Sequence, residues 1–349
     1  MTLFLLIPVV AFVITVASAP IVMRLARHWG LVQPATRPRD IHVGSIARAG
    51  GIAMFLGFAV GAIASLLLPV EREDAHELTR FTGLLLGSTV AAVAGWADDR
   101  WEFGPGIQFA VQFLLGGIAT ATTIWIKHVN DPLGPGYLWD PTLGFPIWIV
   151  IPVTLAWYVG TINTVNWLDG LDGLAAGVAA IASAVFAAHM LRLGQLSVAL
   201  LPLALLGATL GFLPFNFNPA RTFMGSAGSY FLGYALAALA IIAGAKVASL
   251  LLVLAIPILD AAWLIVSRVR RGQSPMRGGR DHLHHRLYDA GLSQRQVVLS
   301  YWAVTAFFGL LALLLPARIY KLYALLLVGS LALLVLWALA RRPVRAAES

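Results

Sequence analysis

The chain has 349 residues, of which 59% are hydrophobic and only 11% charged, with a formal net charge of +8 and a mean hydropathy of +0.83. Such a composition excludes a water-soluble core inside a polar shell and describes an integral membrane protein. Cys is absent, so disulfide frameworks and thiolate chemistry are excluded as well.

A hydrocarbon core takes roughly 20 apolar residues per spanning helix. Stretches of that kind recur at about 3–24, 49–69, 80–97, 107–127, 145–163, 172–190, 197–214, 229–245, 247–266, 298–315 and 322–340. They predict an all-α polytopic bundle of about eleven spans in one domain, 1–349. A transmembrane barrel would instead alternate apolar and polar residues, and these runs are apolar on all sides. The first run ends in VASAP, which resembles a signal-peptidase site, but it lacks a basic leader and is too long for one. It is read as the first span.

The basic residues orient the bundle. With the N-terminus outside and the C-terminus cytoplasmic, 17 of the 24 Lys and Arg residues fall on the inner side, including Arg24, Arg27, Arg48, Arg268 and the tail RRPVRAAES. The net charge is thus explained by topology and by attraction to anionic lipid rather than by nucleic-acid binding. The same topology places Asp98, Asp99, Asp169, Asp172, Asp260 and Asp281 near the cytoplasmic ends of spans, where a carboxylate is costly without a partner. Glu71, Glu73, Asp74 and Glu77 form a charged outer loop that solvation explains.

Four inner stretches carry the chemistry, in loops near 98–106, 163–173, 215–229 and 267–297, and a fifth inner loop lies near 25–48. In AGWADDRWEFGPG the adjacent Asp98 and Asp99 are either a polar helix end or a cation site, because neighbouring carboxylates repel unless a cation lies between them. Mg²⁺ suits such a pair and keeps substrate phosphate oxygens among its ligands; Mn²⁺ is the alternative metal. In NTVNWLDGLDGLAAG, Asp169 and Asp172 lie three residues apart, as do Asn163 and Asn166, so each pair shares a helix face. Polar residues gluing two helices would explain the amides but not the density of acids. In FNFNPARTFMGSAGSYFLG, Asn216 and the small residues around Ser226 precede a span whose first N–H groups can hold an anion. Finally, RVRRGQSPMRGGRDHLHHRLYDAG brings His282, His284, His285 and Arg286 into the largest inner loop. Zinc is one reading of the histidines, and donors to a nucleotide or phosphate suit the arginine-rich surroundings better.

DDR, NTVNWLDGLDGLAAG, NPARTFMG and HLHHRL, with the loop RDIHVGSIARAGG, resemble the polyprenyl-phosphate N-acetylhexosamine-1-phosphate transferases of glycosyltransferase family 4. The resemblance runs in the family's order from Arg39 to Leu287, and its HLHHRL is similar to the branch that uses UDP-GlcNAc rather than the UDP-muramoyl-pentapeptide branch. It implies transfer of a sugar 1-phosphate, GlcNAc 1-phosphate in this branch, from a UDP-sugar to undecaprenyl or a related polyprenyl phosphate. UMP is released at the cytoplasmic face of a bacterial inner membrane, as the first membrane step of envelope glycan synthesis. Asp98, Asp99, Asp169 and Asp172 are then catalytic and metal-holding, and the Asn and His residues above bind substrate together with Arg39, His42 and Arg48. A homodimer is compatible with such a bundle.

The chain departs from the family pattern at several places. Ser226 stands where the family has an aspartate that the resemblance names as a metal ligand, and a hydroxyl supplies no negative charge. Gln108 replaces a usual Lys, and Asp40 and Ala47 depart from the usual residues of the first inner loop. Three expectations follow: a transferase with a remodelled metal site, a silent homologue that still binds nucleotide-sugar or lipid phosphate, and a transporter. The last fits poorly with acids gathered at one surface and no internal repeat.

Overall fold

The structure is a computed structural model, and it describes residues 2–34, 44–72, 74–131, 133–134, 136–243, 247–274, 281–315 and 318–340. Arg39, Asp40 and His42 lie outside the described residues.

The chain begins with α1 (Thr2–His28), followed by the short strands β1 (Val32–Gln33) and β2 (Ile46–Arg48). The helices α2 (Gly50–Ala64), α3 (Glu77–Trp101), α4 (Pro105–Ala121), α5 (Ile147–Leu168), α6 (Leu174–Arg192) and α7 (Leu196–Asn216) come next. Strand β3 (Thr222–Phe223) then leads into α8 (Gly225–Ile242), α9 (Val247–Val253), α10 (Ala255–Arg270), the short α11 (Leu283–Asp289), α12 (Gln294–Leu314) and α13 (Arg318–Ala340). Among the described residues eight helices are long and apolar enough to cross a membrane: α1, α2 with its final turn, α3, α5, α6, α7, α8 and α12. Outward-facing Leu5, Val9, Val13, Trp148, Phe307 and Leu310 are exposed, as a lipid-facing surface requires.

Helix α8 is the axle. Nearly all of its residues are buried, and α2, α3 and α5 pack around it. Small residues permit the close approach: a Cβ built on Gly95 of α3 would lie 2.2 Å from the Ser226 carbonyl oxygen. The contact brings the end of α3, with its two acids, against the start of α8.

Three expectations change. The span expected at 107–127 stops at Ala121, where Thr122 turns its hydroxyl back to the Ile118 carbonyl and Thr123 takes a positive φ of 59°. The span expected at 247–266 is two helices broken at Leu254, because Pro257 has no N–H to donate to the carbonyl four residues back. The all-helical expectation also missed a three-stranded sheet, in which β2 runs antiparallel to β1 and parallel to β3. Ala47 pairs with Thr222 and Arg48 with Phe223, while the Thr222 hydroxyl donates to the Ala47 carbonyl at 2.9 Å. These strands fix Arg48 next to α8.

At the opposite end of the bundle, solvation does not account for Glu77. It is 5% exposed, pairs with Arg72 at 2.5 Å and accepts the Ser197 hydroxyl at 2.9 Å. This clasp ties α3 to α7.

Candidate active site

Asp98 and Asp99 end α3 with different partners. Glu102, in the left-handed region at φ 48°, stops the helix by donating its N–H to the Asp98 carbonyl at 2.8 Å, and Pro105 starts α4 three residues later. This tight corner turns the Phe103 N–H (3.0 Å) and the Gln108 side-chain amide (3.2 Å) onto one Asp98 oxygen, while the Tyr230 hydroxyl lies 3.4 Å from the other. Gln108, the departure from the family's Lys, therefore serves Asp98 as a neutral donor.

Asp99 sits at the start of α8. It accepts the Ser226 N–H at 2.8 Å and the Ala227 N–H at 3.1 Å, and pairs with Arg48 at 3.0 Å. These N–H groups are among the orphan donors of a helix beginning, and the helix dipole favours an anion there. Gly225 makes the approach possible, because its φ is +71° and a Cβ there would lie 2.4 Å from Asp99 Oδ2. The helix start expected to hold a substrate anion is thus occupied by the protein's own carboxylate. Ser226 itself is 4% exposed.

The amides split between structure and site. Asn163 exchanges hydrogen bonds with Gln112 of α4, donating at 2.8 Å and accepting at 3.2 Å. Asn216 accepts the Gly173 N–H at 3.0 Å and donates to the Thr222 carbonyl at 3.1 Å, holding the DGLDG turn against β3. Asn166 accepts the Ser229 hydroxyl at 2.8 Å. Asp172 accepts the Asn218 side-chain amide and the Ala220 N–H, each at 3.1 Å. Asn218 in turn is held by Gln294 and Arg295 at the start of α12, whose N-terminus is fixed by a capping box between Ser293 and Gln296.

Asp169 differs from its neighbours. Directly after α5 and half-buried, it accepts no hydrogen bond and forms no close ion pair among the described residues. Burial pushes its carboxyl well above the usual carboxylate range; the Arg48 charge opposes this, and the charges of Asp99 and Asp172 add to it. A half-buried acid beside two others, with no protein donor, is what a cation relieves.

The histidine stretch closes the site from the other side. His284 is 1% exposed, and its Nε2 would meet a Cβ on Gly170 at 2.4 Å, so only glycine lets the DGLDG turn touch the imidazoles. The His282 ring lies parallel to His284 at 5.4 Å and packs on Trp167 at 6.0 Å. Burial, followed by the His285 and His282 charges, holds His284 well below the usual imidazole range. Its Nε2 has no hydrogen-bond partner among the described residues. Arg286 donates to the Asp281 carbonyl at 2.8 Å.

Asp260, Gln112, Tyr230 and Trp167 belong to this constellation and were not singled out as site residues. Asp260 and Gln112 do carry a sequence signal, since each is a polar residue inside an otherwise apolar run.

Among the described residues no group of three or more His, Asp or Glu side chains stands ready to hold a metal. The donor set still fits Mg²⁺, which typically takes one or two carboxylates and fills its remaining positions with water and substrate phosphate. Asp169 is the available carboxylate, with Asp172 beside it.

The apolar helices define a multi-pass membrane protein, with an acid-rich and histidine-rich cluster at one end of its helical bundle. The comparisons agree with that class: residues 81–244 match the model of Glycosyl transferase family 4. The chain is 32% identical to a Bacillus subtilis relative named "Probable undecaprenyl-phosphate N-acetylglucosaminyl 1-phosphate transferase", over 88% of this chain and 85% of the relative. It is 35% identical to the "Undecaprenyl-phosphate alpha-N-acetylglucosaminyl 1-phosphate transferase" of Haemophilus influenzae, over 82% of this chain and 80% of that one. A Mycobacterium leprae "Decaprenyl-phosphate N-acetylglucosaminephosphotransferase" is 32% identical over 75% of this chain and 71% of its own. The chain belongs to Glycosyl transferase family 4.

Proposed function

We propose that this chain transfers GlcNAc 1-phosphate from UDP-GlcNAc to undecaprenyl phosphate, giving a lipid-diphosphate-linked sugar and UMP, as the first membrane step of envelope glycan synthesis. The observation that carries the reading is the meeting of the two motif stretches at Gly170, the residue after Asp169, which packs against His284 and His285. The relatives' names supply the substrate classes.

The proposed topology counts the eight long helices together with α4, the broken pair α9–α10 and α13, whose residues Ile319–Leu331 are apolar, as eleven spans. The N-terminus lies outside and the C-terminus inside a bacterial inner membrane. This orientation puts the site on the side where nucleotide-sugars are found.

In the reaction an oxygen of the lipid phosphate attacks the β-phosphorus of the donor. A new P–O bond forms, and the bond to the bridging oxygen breaks, its electron pair leaving with UMP. The lipid phosphate is already largely dianionic near neutral pH, with a second pKa of about 6, so no strong base is required. Asp169, with Asp172, would hold Mg²⁺, which when bound neutralises charge on the phosphate oxygens and lets two anionic substrates approach. Arg48 holds Asp99 at the start of α8, and its own side chain remains 25% exposed. Asp98, kept in place by Gln108 and Tyr230, is assigned to the acceptor side. His282, His284, His285 and Arg286 are assigned to the donor's phosphates, as hydrogen-bond donors to oxygens that gain charge during transfer. Arg39 and His42 are proposed to join them.

Purified protein given labelled UDP-GlcNAc, undecaprenyl phosphate and Mg²⁺ should form labelled lipid and UMP in equal amounts. A second reading, a homologue that binds but does not transfer, is favoured by Ser226 and by the protein donors that already fill the oxygens of Asp99. Nucleotide binding without product formation would establish that reading instead.

A further inference from the structure

Behind the histidines lies an acid with no assigned role. Asp260, in the middle of α10, is 4% exposed. One of its oxygens is 2.9 Å from His282 Nδ1, and the other accepts the Leu283 N–H at 2.8 Å. Both oxygens are therefore spent on consecutive residues of the HLHHRL stretch. Further along the same helix, Arg268 pairs with Asp281 at 3.2 Å. Helix α10 thus grips residues 281–283 from behind, while His282 packs on Trp167 and the following His284 and His285 pack on Gly170 of the DGLDG turn.

We propose that Asp260 is a positioning residue that fixes the tautomer and ring orientation of His282, so that Nε2 is the nitrogen presented to the donor's phosphates. The proposal rests on the transfer reading above. The physical argument is short. An ionised carboxylate only accepts, so a hydrogen bond from His282 to Asp260 places the ring proton on Nδ1. Nε2 is then the only polar ring atom left, on a ring packed against Trp167 and His284. A carboxylate behind an imidazole is a common orienting device, and losing one behind a metal-bound imidazole typically costs about 10–100-fold in affinity or activity. The two ties from one carboxylate have separate consequences: the bond to Leu283 fixes the backbone, and the bond to His282 fixes the ring.

Asp260→Asn tests the assignment, because an amide can donate to Nδ1 and so reverse the tautomer with little change in volume. Two readouts are taken on the full chain in lipid nanodiscs. The first is the ¹⁵N spectrum of histidine-labelled protein, with His282 assigned by its loss in His282→Gln. Asp260→Asn should move the His282 nitrogens away from the Nδ1–H pattern, and an unchanged spectrum overturns the proposal whatever the protein's activity. The second is transfer: Asp260→Asn should lose about 10–100-fold, chiefly as a raised KM for UDP-GlcNAc with the lipid KM held. The double variant with His282→Gln should be no worse than His282→Gln alone. Additive losses would mean that Asp260 acts on the fold and not through His282. Asp281→Asn, which loosens the same segment without touching the ring, should leave the His282 spectrum as it is. Wild-type protein that transfers nothing, together with the spectral change in Asp260→Asn, would sink the transfer reading while upholding the Asp260 assignment.

Discussion

Arg48 and Asp99 form a 3.0 Å ion pair that joins strand β2 to the end of α3 at the first turn of α8. The Asp99 side chain is 1% exposed and has two N–H donors besides Arg48. Arg48→Gln removes the only cation in contact with that acid among the described residues. Breaking a fully buried pair costs about 3–5 kcal/mol, and the partial exposure of Arg48 lowers the expected loss to about 2–3 kcal/mol. The thermal midpoint in detergent should fall accordingly and transfer should be lost with it. An unchanged midpoint would mean that the N–H donors alone suffice for Asp99.

Asp169→Asn should behave in the opposite way. Asp169 has no protein donor to lose among the described residues, and burial beside Asp99 and Asp172 disfavours its charged form. The variant should therefore be as stable as the parent or slightly more so without metal, while transfer falls by at least about 100-fold, as when a group that stabilises developing charge is removed. Retained turnover would take Asp169 out of the mechanism.

The pH dependence of stability tests the burial of His284. Its imidazole is held below the ordinary value near 6.5, so the unfolded chain binds a proton more readily than the folded one. The sign follows: this contribution to stability is complete above about pH 6.5 and is lost as the pH falls below it. His284→Gln should flatten the fall in thermal midpoint between pH 7.5 and 5.5. If the two profiles run parallel, His284 is not the group that titrates.

Much of the membrane body was legible, because a span is specified by a long apolar run, and α1, α3, α5, α6, α7, α8 and α12 follow such runs closely. What the runs do not encode is a local break. Pro257 lies within an unbroken apolar stretch, and its missing N–H splits the span only because a donor is needed at that one place. The short strands escaped for a related reason: Thr222 and Phe223 are too few to show a period, and their pairing with Ala47 and Arg48 is made across the molecule. In the site, the acidic and histidine motifs were visible as motifs. Their division of labour was not, since Asn163 and Asn216 turn inward to Gln112, Gly173 and Thr222, and Asp99 takes the helix start reserved for a ligand.

Glu77 supplies a contrast from the far end of the bundle. Its carboxylate joins Arg72 and Ser197, and nothing at the acidic site touches it. Glu77→Ala leaves buried polar groups without their acceptor, which costs roughly 1–3 kcal/mol. The thermal midpoint should drop while transfer per folded molecule stays the same. A selective loss of turnover at full stability would show that the two ends are coupled.

Ser226→Asp examines the most conspicuous departure from the family pattern. Ser226 is 4% exposed, and its N–H is held by Asp99. A carboxylate there would stand next to Asp99, and two such groups repel unless a cation comes between them. In metal-free buffer the variant should therefore be less stable than the parent. Added Mg²⁺ should restore the difference, because an extra charged ligand strengthens a hard-cation site. In the transfer assay the concentration of Mg²⁺ needed for half-maximal rate should drop, on the order of tenfold for one added carboxylate. Magnesium titrations of the two proteins that superimpose, in both stability and rate, would place residue 226 away from the metal and leave Asp169 and Asp172 as the ligands to vary next.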